Sequence, residues 1–387
     1  MGIMSFTMKV FLSVFLLAFS SPVYSAERAR DLGILVGEYD TGRFNAITDV
    51  AGVKVGHATL LSGEGALEPG KGPVRTGVTV IVPASGDLWT SKVYAGSFVL
   101  NGNGEATGLM WIQESGILET PIALTNTLSV GTVQKALVDW MLKDRPRIGL
   151  DDDTLTPVVL ECDDSSLNDI RGQHVKREHV YDAFMKASGG RVEEGGVGAG
   201  TGMISYEFKG GIGTSSRVLP KTSGGYTVGV LLNANHGLRS TLRVLGAPVG
   251  REITDLKPQF RKEGSIVVVL ATDAPLDPRQ LSRLAKRAML GIARTGSVAY
   301  HGSGDVAIAF STGNRIPHHP DHRLLNLTLL SDFHLDELFE AAADAAEEAV
   351  LNALLAGRIS VGRDGNTVHG LPHDRLKSAL KKFRVVR

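Results

Sequence analysis

The stretch GSIVVVLATDAPLDPRQLSRLAKRAMLGIARTG, residues 264–296, decides the class of fold. Residues 265–271 form an apolar, β-branched run without polar alternation, which is typical of a strand buried on both faces. Asp277 then offers an N-cap, and Pro278 takes the first position of a helix whose apolar residues recur at helical spacing. A strand that is apolar on both faces needs covering layers. The stretch therefore predicts a sheet packed between other elements.

The same kind of elements recurs along the chain. Further strands are predicted at residues 78–83, 97–101, 121–126, 157–161, 226–235 and 305–312. Besides the helix at 277–296, helices are predicted at residues 129–144, 173–190 and 335–357. No linker rich in proline and serine divides the chain after its first 25 residues. We therefore expect a single mixed α/β (α+β) domain with layered sheets and outer helices.

Composition describes an ordinary globular protein. The chain has 387 residues, of which 43% are hydrophobic, enough to bury a large core. Lys plus Arg and Asp plus Glu both number 41, so no excess of charge points to nucleic acid or to an anionic membrane as a partner. We expect a small or neutral partner. The single cysteine, Cys162, excludes an intrachain disulfide.

Residues 1–25 differ from the rest of the chain. Lys9 precedes the apolar run VFLSVFLLAF, and small residues follow at the positions typical of export cleavage. This pattern predicts a signal peptide cleaved after Ser25 and a periplasmic or secreted mature protein, with translation from Met4 or Met8 as a variant start. An uncleaved N-terminal anchor or a core helix is the alternative. The apolar run is too short to span a bilayer comfortably, and no other segment approaches 18 uninterrupted apolar residues.

Two motifs could indicate a cofactor. The glycines of GGVGAGTGM, residues 195–203, lack the G-x-G-x-x-G spacing, which favours close backbone packing or a nest of amides over a nucleotide site. His318, His319 and His322 could bind a metal together with Asp321, but two prolines and a loop setting favour a solvated loop. We expect neither a cofactor nor a metal.

The Gly264–Ser265 pair stands at the mouth of the strand predicted at 265–271. A turn that leads into the strand is the simplest interpretation. The alternative is an N-terminal nucleophile: a cut before Ser265 would create an α-amine, with a pKa of about 7.7–8.0, beside its own hydroxyl. A glycine on the acyl side suits such a cut because it lets the hydroxyl approach the carbonyl. The G-x-S-x-G nucleophile motif is absent around the plausible serines.

Two other strand ends carry polar residues. Ser303 and Asp305 are two positions apart at the head of an apolar strand, so they can project to one face and share hydrogen bonds. A polar turn before the strand is the alternative. Glu161 ends the strand at 157–161, where its carboxylate could hold a cationic α-amino group.

Taken together, these motifs resemble the DmpA/BapA-type aminopeptidases, the self-processing serine peptidases of family S58. This family includes L-aminopeptidase/D-esterases and β-peptidyl aminopeptidases. The resemblance spans about residues 30–317. It is carried by NAITDVAGVKVGHATL, VRTGVTVIVP, NGNGEATG, WIQESG, PIALTNTLSVG, LND, GGVGAGTGM, FKGGIGTSSR, LLNANHG, GSIVVVLATDAPL and GSGDVAIAFST.

The resemblance implies a four-layer αββα sandwich of the Ntn-hydrolase type. It also implies a cut between Gly264 and Ser265, which would divide the domain into a larger subunit, residues 26–264, and a smaller one, residues 265–387. Ser265 would then be the nucleophile that releases N-terminal residues from small peptides, amides or esters. The family further implies an oligomer of such two-chain units, commonly a tetramer.

Further roles are implied residue by residue. Ser303 and Asp305 would assist the nucleophile, although Asp305 reaches less far than the Glu found in some family members. Asn235 would stabilise the oxyanion, with Asn233 as the alternative register, and Glu161 would bind the substrate ammonium.

The chain departs from the family pattern just after Glu161. Asp163 and Asp164 stand where family enzymes have an aromatic residue close by. We include Asp163 among the substrate-binding candidates and leave open the preference among α-, D- and β-amino acids. Acyl transfer of the ornithine acetyltransferase type is a rival function, disfavoured because those enzymes cut before a threonine. A non-catalytic exported binding protein is the other rival.

Overall fold

The computed structural model of the chain describes residue 2, residues 27–260 and residues 264–386. Apart from residue 2, the predicted signal peptide lies outside the described residues, and so do residues 261–263. The strands are β1 (Lys54–Ser62), β2 (Val74–Val82), β3 (Ser91–Gly102), β4 (Ile117–Leu118), β5 (Ile122–Thr125), β6 (Val158–Glu161), β7 (Ile204–Ser205), β8 (Phe208–Lys209), β9 (Gly211–Val218), β10 (Thr227–Ala234), β11 (Ile266–Thr272), β12 (Gly304–Pro317), β13 (Ser360–Val361) and β14 (Thr367–Val368). The α-helices are α1 (Leu109–Ser115), α2 (Val130–Asp144), α3 (Arg177–Met185), α4 (Val249–Glu252), α5 (Pro278–Arg294), α6 (Asp336–Leu355) and α7 (His373–Lys382).

Two sheets form the centre of the molecule. A six-stranded sheet has the order β4-β3-β12-β11-β10-β9, and a four-stranded sheet has the order β1-β2-β5-β6. Strands β11 and β12 run parallel, with Ile266 opposite Asp305. Helices α5 and α6 pack on the larger sheet, and α2 and α3 pack on the smaller one. The predicted αββα sandwich is therefore confirmed.

Strand β11 shows why the sandwich has two buried interfaces. Ile266, Val268 and Leu270 belong to the core beneath α5 and α6. Val267 and Val269 alternate with them and belong to the core between the two sheets. An apolar residue at every position therefore fills both interfaces at once.

The helices of the larger layer form for local and tertiary reasons. The Asp277 side chain caps α5 by accepting a hydrogen bond from the Gln280 N–H, and the Asp277 N–H donates to the Oε1 of Gln280. Helix α6 lies directly on β9, where a Cβ at Gly213 would be 2.0 Å from the Ala349 carbonyl oxygen. A glycine at this position permits the close approach.

Strand β9 was not among the predicted strands. Its buried residues include Thr214, Ser215, Ser216 and Arg217, so it has no apolar pattern. Partners on α6 compensate for this burial. The Ser215 Oγ donates to the Ala345 carbonyl, and Arg217 forms a fully buried ion pair with Glu348. Among the described residues, no helix has the length and apolar character needed to cross a bilayer.

Candidate active site

The heads of the parallel strands β11 and β12 meet at one end of the larger sheet. Ser265 directly precedes β11, and Ser303 directly precedes β12. The N–H of Gly304 donates to the Oγ of Ser265 at 3.1 Å. Asp305 follows Gly304 in β12. The side chains of Ser265, Ser303 and Asp305 are all buried, with 6%, 2% and 1% of these residues exposed, respectively. The structure thus brings the two serines and the aspartate together.

Asp305 has an environment that favours its neutral form. Burial raises the pKa of Asp305 to about 6, and a hydrogen bond from Ser303 opposes part of this rise. Its Oδ2 is buried and has no hydrogen-bond partner among the described residues. A carboxyl group that titrates near pH 6 beside a buried hydroxyl is suited to a role in proton transfer.

Asn235 lies at the end of β10, beside Ser265. Its backbone N–H donates to the Ser265 carbonyl at 3.1 Å. Its Nδ2 donates to the carbonyl of Asp163 at 2.9 Å, and its Oδ1 accepts from the N–H of Ile204 at 2.8 Å. The side chain is therefore held by both ends, which fixes the amide in one orientation.

Gly264 is closely packed against the same asparagine. A Cβ at Gly264 would lie 1.7 Å from the carbonyl oxygen of Asn235 and 3.2 Å from its Nδ2. A real side chain cannot fit at such a distance. The glycine before Ser265 is thus required by the close approach of two backbone segments.

Asn233 lies deeper in the sheet, opposite Val267 of β11. Its Nδ2 donates to the Ala199 carbonyl at 3.4 Å, and its carbonyl accepts a bond from Cys162. It is completely buried and lies inside β10, two residues before Asn235. Of the two alternative registers, the structure places Asn235, and not Asn233, beside the Gly264–Ser265 bond.

Glu161 reaches the same region from the other sheet. It ends β6 and is 5% exposed. The N–H of Glu105 donates to its Oε1 at 3.0 Å, and Thr127 donates to its Oε2. Burial raises the pKa of Glu161, while these hydrogen bonds lower it.

Gly104 connects Glu161 to the serine. A Cβ at Gly104 would lie 2.7 Å from the Glu161 Oε1 and 3.9 Å from the Cα of Gly304, whose N–H binds Ser265. The carboxylate and the hydroxyl therefore both lie near the place where Gly104 approaches Gly304, here called the Gly104–Gly304 contact. The sequence contains this feature in NGNGE, but its role depends on a contact between distant segments.

Asp163 lies beside Asn235 and contacts it through the backbone. Its carbonyl accepts the Asn235 amide, and its Oδ1 accepts the N–H of Ser165 at 2.8 Å. Its neighbour Asp164 is buried, and burial raises the pKa of Asp164 to about 7. Asp163, Asn235 and Gly264 line a small cleft together with Pro258 and Phe260.

His236, which no sequence motif singles out, follows Asn235 and also lines this cleft. Its ring is buried, and neither nitrogen has a hydrogen-bond partner among the described residues. Burial lowers the pKa of His236 to about 3, so the imidazole is neutral. The ring packs edge-on against Tyr206 at 5.1 Å.

Comparison with known proteins agrees with this geometry. The profile described as Peptidase family S58 matches residues 45–368. The chain belongs to peptidase family S58. The resemblance seen in the sequence motifs is thereby confirmed.

Several relatives cover nearly the whole chain. Beta-peptidyl aminopeptidase BapA of Sphingosinicella microcystinivorans is 47% identical over 373 residues, which cover 92% of each chain. The solved structure of a Burkholderia sp. beta-aminopeptidase is 50% identical, with a TM-score of 0.86, and covers 92% of this chain and 99% of its own.

A third relative bears on the fold. The solved L-aminopeptidase D-Ala-esterase/amidase of Ochrobactrum anthropi is 43% identical with a TM-score of 0.87 and covers 93% of this chain and 99% of its own. It is described as a prototype for the serine aminopeptidases and a variant of the Ntn hydrolase fold. This S58 protein is accordingly a peptidase-type hydrolase of the aminopeptidase group with an Ntn-hydrolase fold.

Proposed function

We propose that this S58 peptidase is a self-processed serine aminopeptidase that acts through an acyl-enzyme on Ser265. The observation that carries the proposal is the convergence of Ser265 and Glu161, from different sheets, on the Gly104–Gly304 contact. A buried hydroxyl and a buried carboxylate that both lie near this contact would provide a nucleophile and a site for a substrate ammonium in one region. An enzyme that requires that ammonium removes residues from the N-terminus only.

Processing would begin with attack of the Ser265 Oγ on the carbonyl carbon of Gly264. The C–N bond breaks as the C–O bond forms, and the proton of the hydroxyl passes to the released amine. Water then hydrolyses the ester, which leaves a Gly264 carboxylate and a free Ser265 α-amine. Residues 26–264 and 265–387 would become the two subunits of one domain. The Nδ2 of Asn235, held beside Gly264, is the donor we assign to the developing oxyanion.

The new α-amine would serve as the base in peptide hydrolysis. With a pKa of about 7.7–8.0 it is partly unprotonated at neutral pH and can accept the proton of its own Oγ. The Oγ attacks the substrate carbonyl, the leaving amine takes a proton, and water later releases the acyl group. Ser303 and Asp305 would orient this proton transfer through their shared hydrogen bond.

The substrates we propose are small peptides, amides or esters with a free N-terminal ammonium. The beta-peptidyl name of a relative that is 47% identical supports the inclusion of β-amino acids among the acyl residues. The absence of an aromatic residue at 162–166 distinguishes this chain from the family pattern described above. We further propose export to the periplasm, directed by residues 1–25, and assembly of the two-chain unit into a homotetramer.

Denaturing electrophoresis of purified protein tests the function against that of a non-catalytic binding protein. Two bands of roughly 25 and 13 kDa, together with release of the N-terminal residue from a dipeptide, support the proposal. A single full-length band without such release would contradict it.

A further inference from the structure

A group of metal-ligand side chains lies at the opposite end of β12 from the active site. Strand β12 ends at Pro317, and His318 and His319 follow it directly. Among the described residues, one group of at least three His, Cys, Asp or Glu side chains could hold a metal ion. It consists of Asp152, His318 and His319, with one ligand atom of each within 4.8 Å of the others.

The three side chains converge on one carboxylate oxygen. The Oδ1 of Asp152 lies 2.8 Å from the Nε2 of His318 and 3.2 Å from the Nε2 of His319. Asp153 brings a second carboxylate, whose Oδ2 lies 4.0 Å from the Nε2 of His318. Two carboxylates and two imidazoles therefore face one small region.

Burial distinguishes this arrangement from the solvated loop that the sequence favoured. The side chain of His318 is 5% exposed and its ring lies 4.4 Å from that of Trp89. Its backbone N–H donates to the Thr90 carbonyl at 3.0 Å. The side chain of His319 is 76% exposed, which leaves the group open to solvent on one side. The carboxylate that joins the histidines is Asp152 and not Asp321, the residue considered from the sequence.

Asp152 is itself held in place by a buried residue. The indole N–H of Trp89 donates to its Oδ2 at 2.9 Å, and Oδ1, which faces both histidines, also accepts the N–H of Asp153 at 2.9 Å. An outer hydrogen bond of this kind orients a carboxylate ligand in metal sites. Trp89 is 1% exposed, so the support is rigid.

The geometry points to a binding site for Zn²⁺ formed by Asp152, His318 and His319, with water completing the coordination. Imidazole and carboxylate are ligands that Zn²⁺ accepts, and three protein ligands with an open position are common at zinc sites. Binding uses the Nε2 lone pair of each neutral imidazole, so the ring proton moves to Nδ1. Two carboxylates supply the negative charge that a dication needs.

The site would connect the two parts of the chain. Asp152 precedes the Gly264–Ser265 bond, whereas both histidines follow it. In a processed enzyme, one ion would therefore hold the two subunits together at the end of the sheet remote from Ser265. This consequence rests on the proposed processing, but the site itself does not.

Zinc binding to untagged, full-length protein tests the inference. After treatment with a chelator, the protein is titrated with Zn²⁺ in competition with a chromophoric chelator, and bound metal is measured by mass spectrometry. We expect about one Zn²⁺ per chain and a rise of about 3 °C or more in the thermal unfolding midpoint when Zn²⁺ is saturating. The same titration of Ser265→Ala should give the same stoichiometry, whether or not the chain is processed.

Two variants and one control locate the ion. His319→Gln removes an exposed ligand, and Asp152→Asn keeps an oxygen for the Trp89 indole; each should weaken Zn²⁺ binding by about tenfold or more. His322→Gln, an exposed histidine of the same segment outside the group, should bind as the wild type does. Wild-type affinity in His319→Gln, equal loss in His322→Gln, or no zinc binding by the wild type would overturn the site. The three side chains would then be a hydrogen-bonded cluster only.

Discussion

The N–H of Gly304 donates to the Oγ of Ser265 at 3.1 Å and thereby joins the heads of strands β11 and β12. Because these strands run parallel, both heads lie at the same end of the sheet. The hydroxyl that follows Gly264 is thus held beside Ser303 and Asp305 by the sheet itself. An N–H that donates to the Oγ also stabilises the negative charge that develops on this oxygen.

Glu161→Gln should impair peptidase activity without preventing processing. The variant keeps the shape of the side chain but loses the charge that would pair with a substrate ammonium. We expect kcat/KM for a dipeptide to fall by about 10–100-fold, mainly through KM. Glu105→Gln is the matched control, since its backbone N–H contacts Glu161 while its side chain is exposed. Equal losses in both variants would argue against an ammonium site at Glu161.

Gly264→Ala should block or greatly slow the cut before Ser265. The added Cβ would meet the Asn235 carbonyl oxygen at 1.7 Å, so the two segments would have to separate. Gly131→Ala, in helix α2 with open space around it, serves as the control and should be processed normally. The fraction of cut chain after purification is the measurement. Normal processing of Gly264→Ala would show that the close approach is not needed.

Asp305 should impose an acidic limb on the pH profile. Its pKa is raised to about 6, so the carboxylate forms above that pH and is lost below it. The α-amine of Ser265 would give a second limb near pH 8. Below pH 6, log kcat/KM should therefore fall with a slope of about two in the wild type and about one in Asp305→Asn. Identical slopes in both proteins would remove Asp305 from the proton transfer.

The raised pKa of Asp305 also affects folding in a defined direction. A carboxyl whose pKa is higher in the folded than in the unfolded state favours folding when protonated. Its ionisation therefore lowers the free energy of unfolding as the pH rises from about 4 to about 6. Asp305→Asn should abolish this part of the dependence, as measured by urea unfolding across that range. A variant that retains the full pH dependence would contradict the assignment.

Arg217→Met should destabilise the fold, because Glu348 would lose its fully buried partner and keep, among the described residues, only the partly exposed Arg30 as an ion-pair partner. We expect a loss of about 3 kcal/mol in the free energy of unfolding. Lys135→Met, which breaks an exposed helical pair with Asp139, should leave the denaturation midpoint nearly unchanged. A similar effect of the two changes would mean that the buried pair contributes no more than an exposed one.

Local chemistry determined which parts of the fold could be predicted. Strand β11 and helix α5 were predictable because their apolar spacing and the Asp277 cap are local signals. Strand β9 was not, because the partners that satisfy Ser215 and Arg217 lie on α6, about 130 residues away.

The site shows the same division. The meeting of Ser265 with Ser303 and Asp305 follows from two strands that share an edge, and the sequence allowed it to be inferred. The role of Gly104 depends on a contact between segments that are distant in the sequence, and so does the pairing of Asp152 with His318. No local pattern in the sequence indicates which distant segment meets such a residue.

The residue at the start of the smaller chain is the decisive observation for self-processing between Gly264 and Ser265. Intact mass measurement and N-terminal sequencing of the wild type and of Ser265→Ala identify this residue. We expect a wild-type fragment that begins at Ser265 and accompanies aminopeptidase activity, and a Ser265→Ala protein that stays uncut and inactive while folded. An uncut wild type with full activity, or a Ser265→Ala protein cut at the same bond, would contradict this expectation.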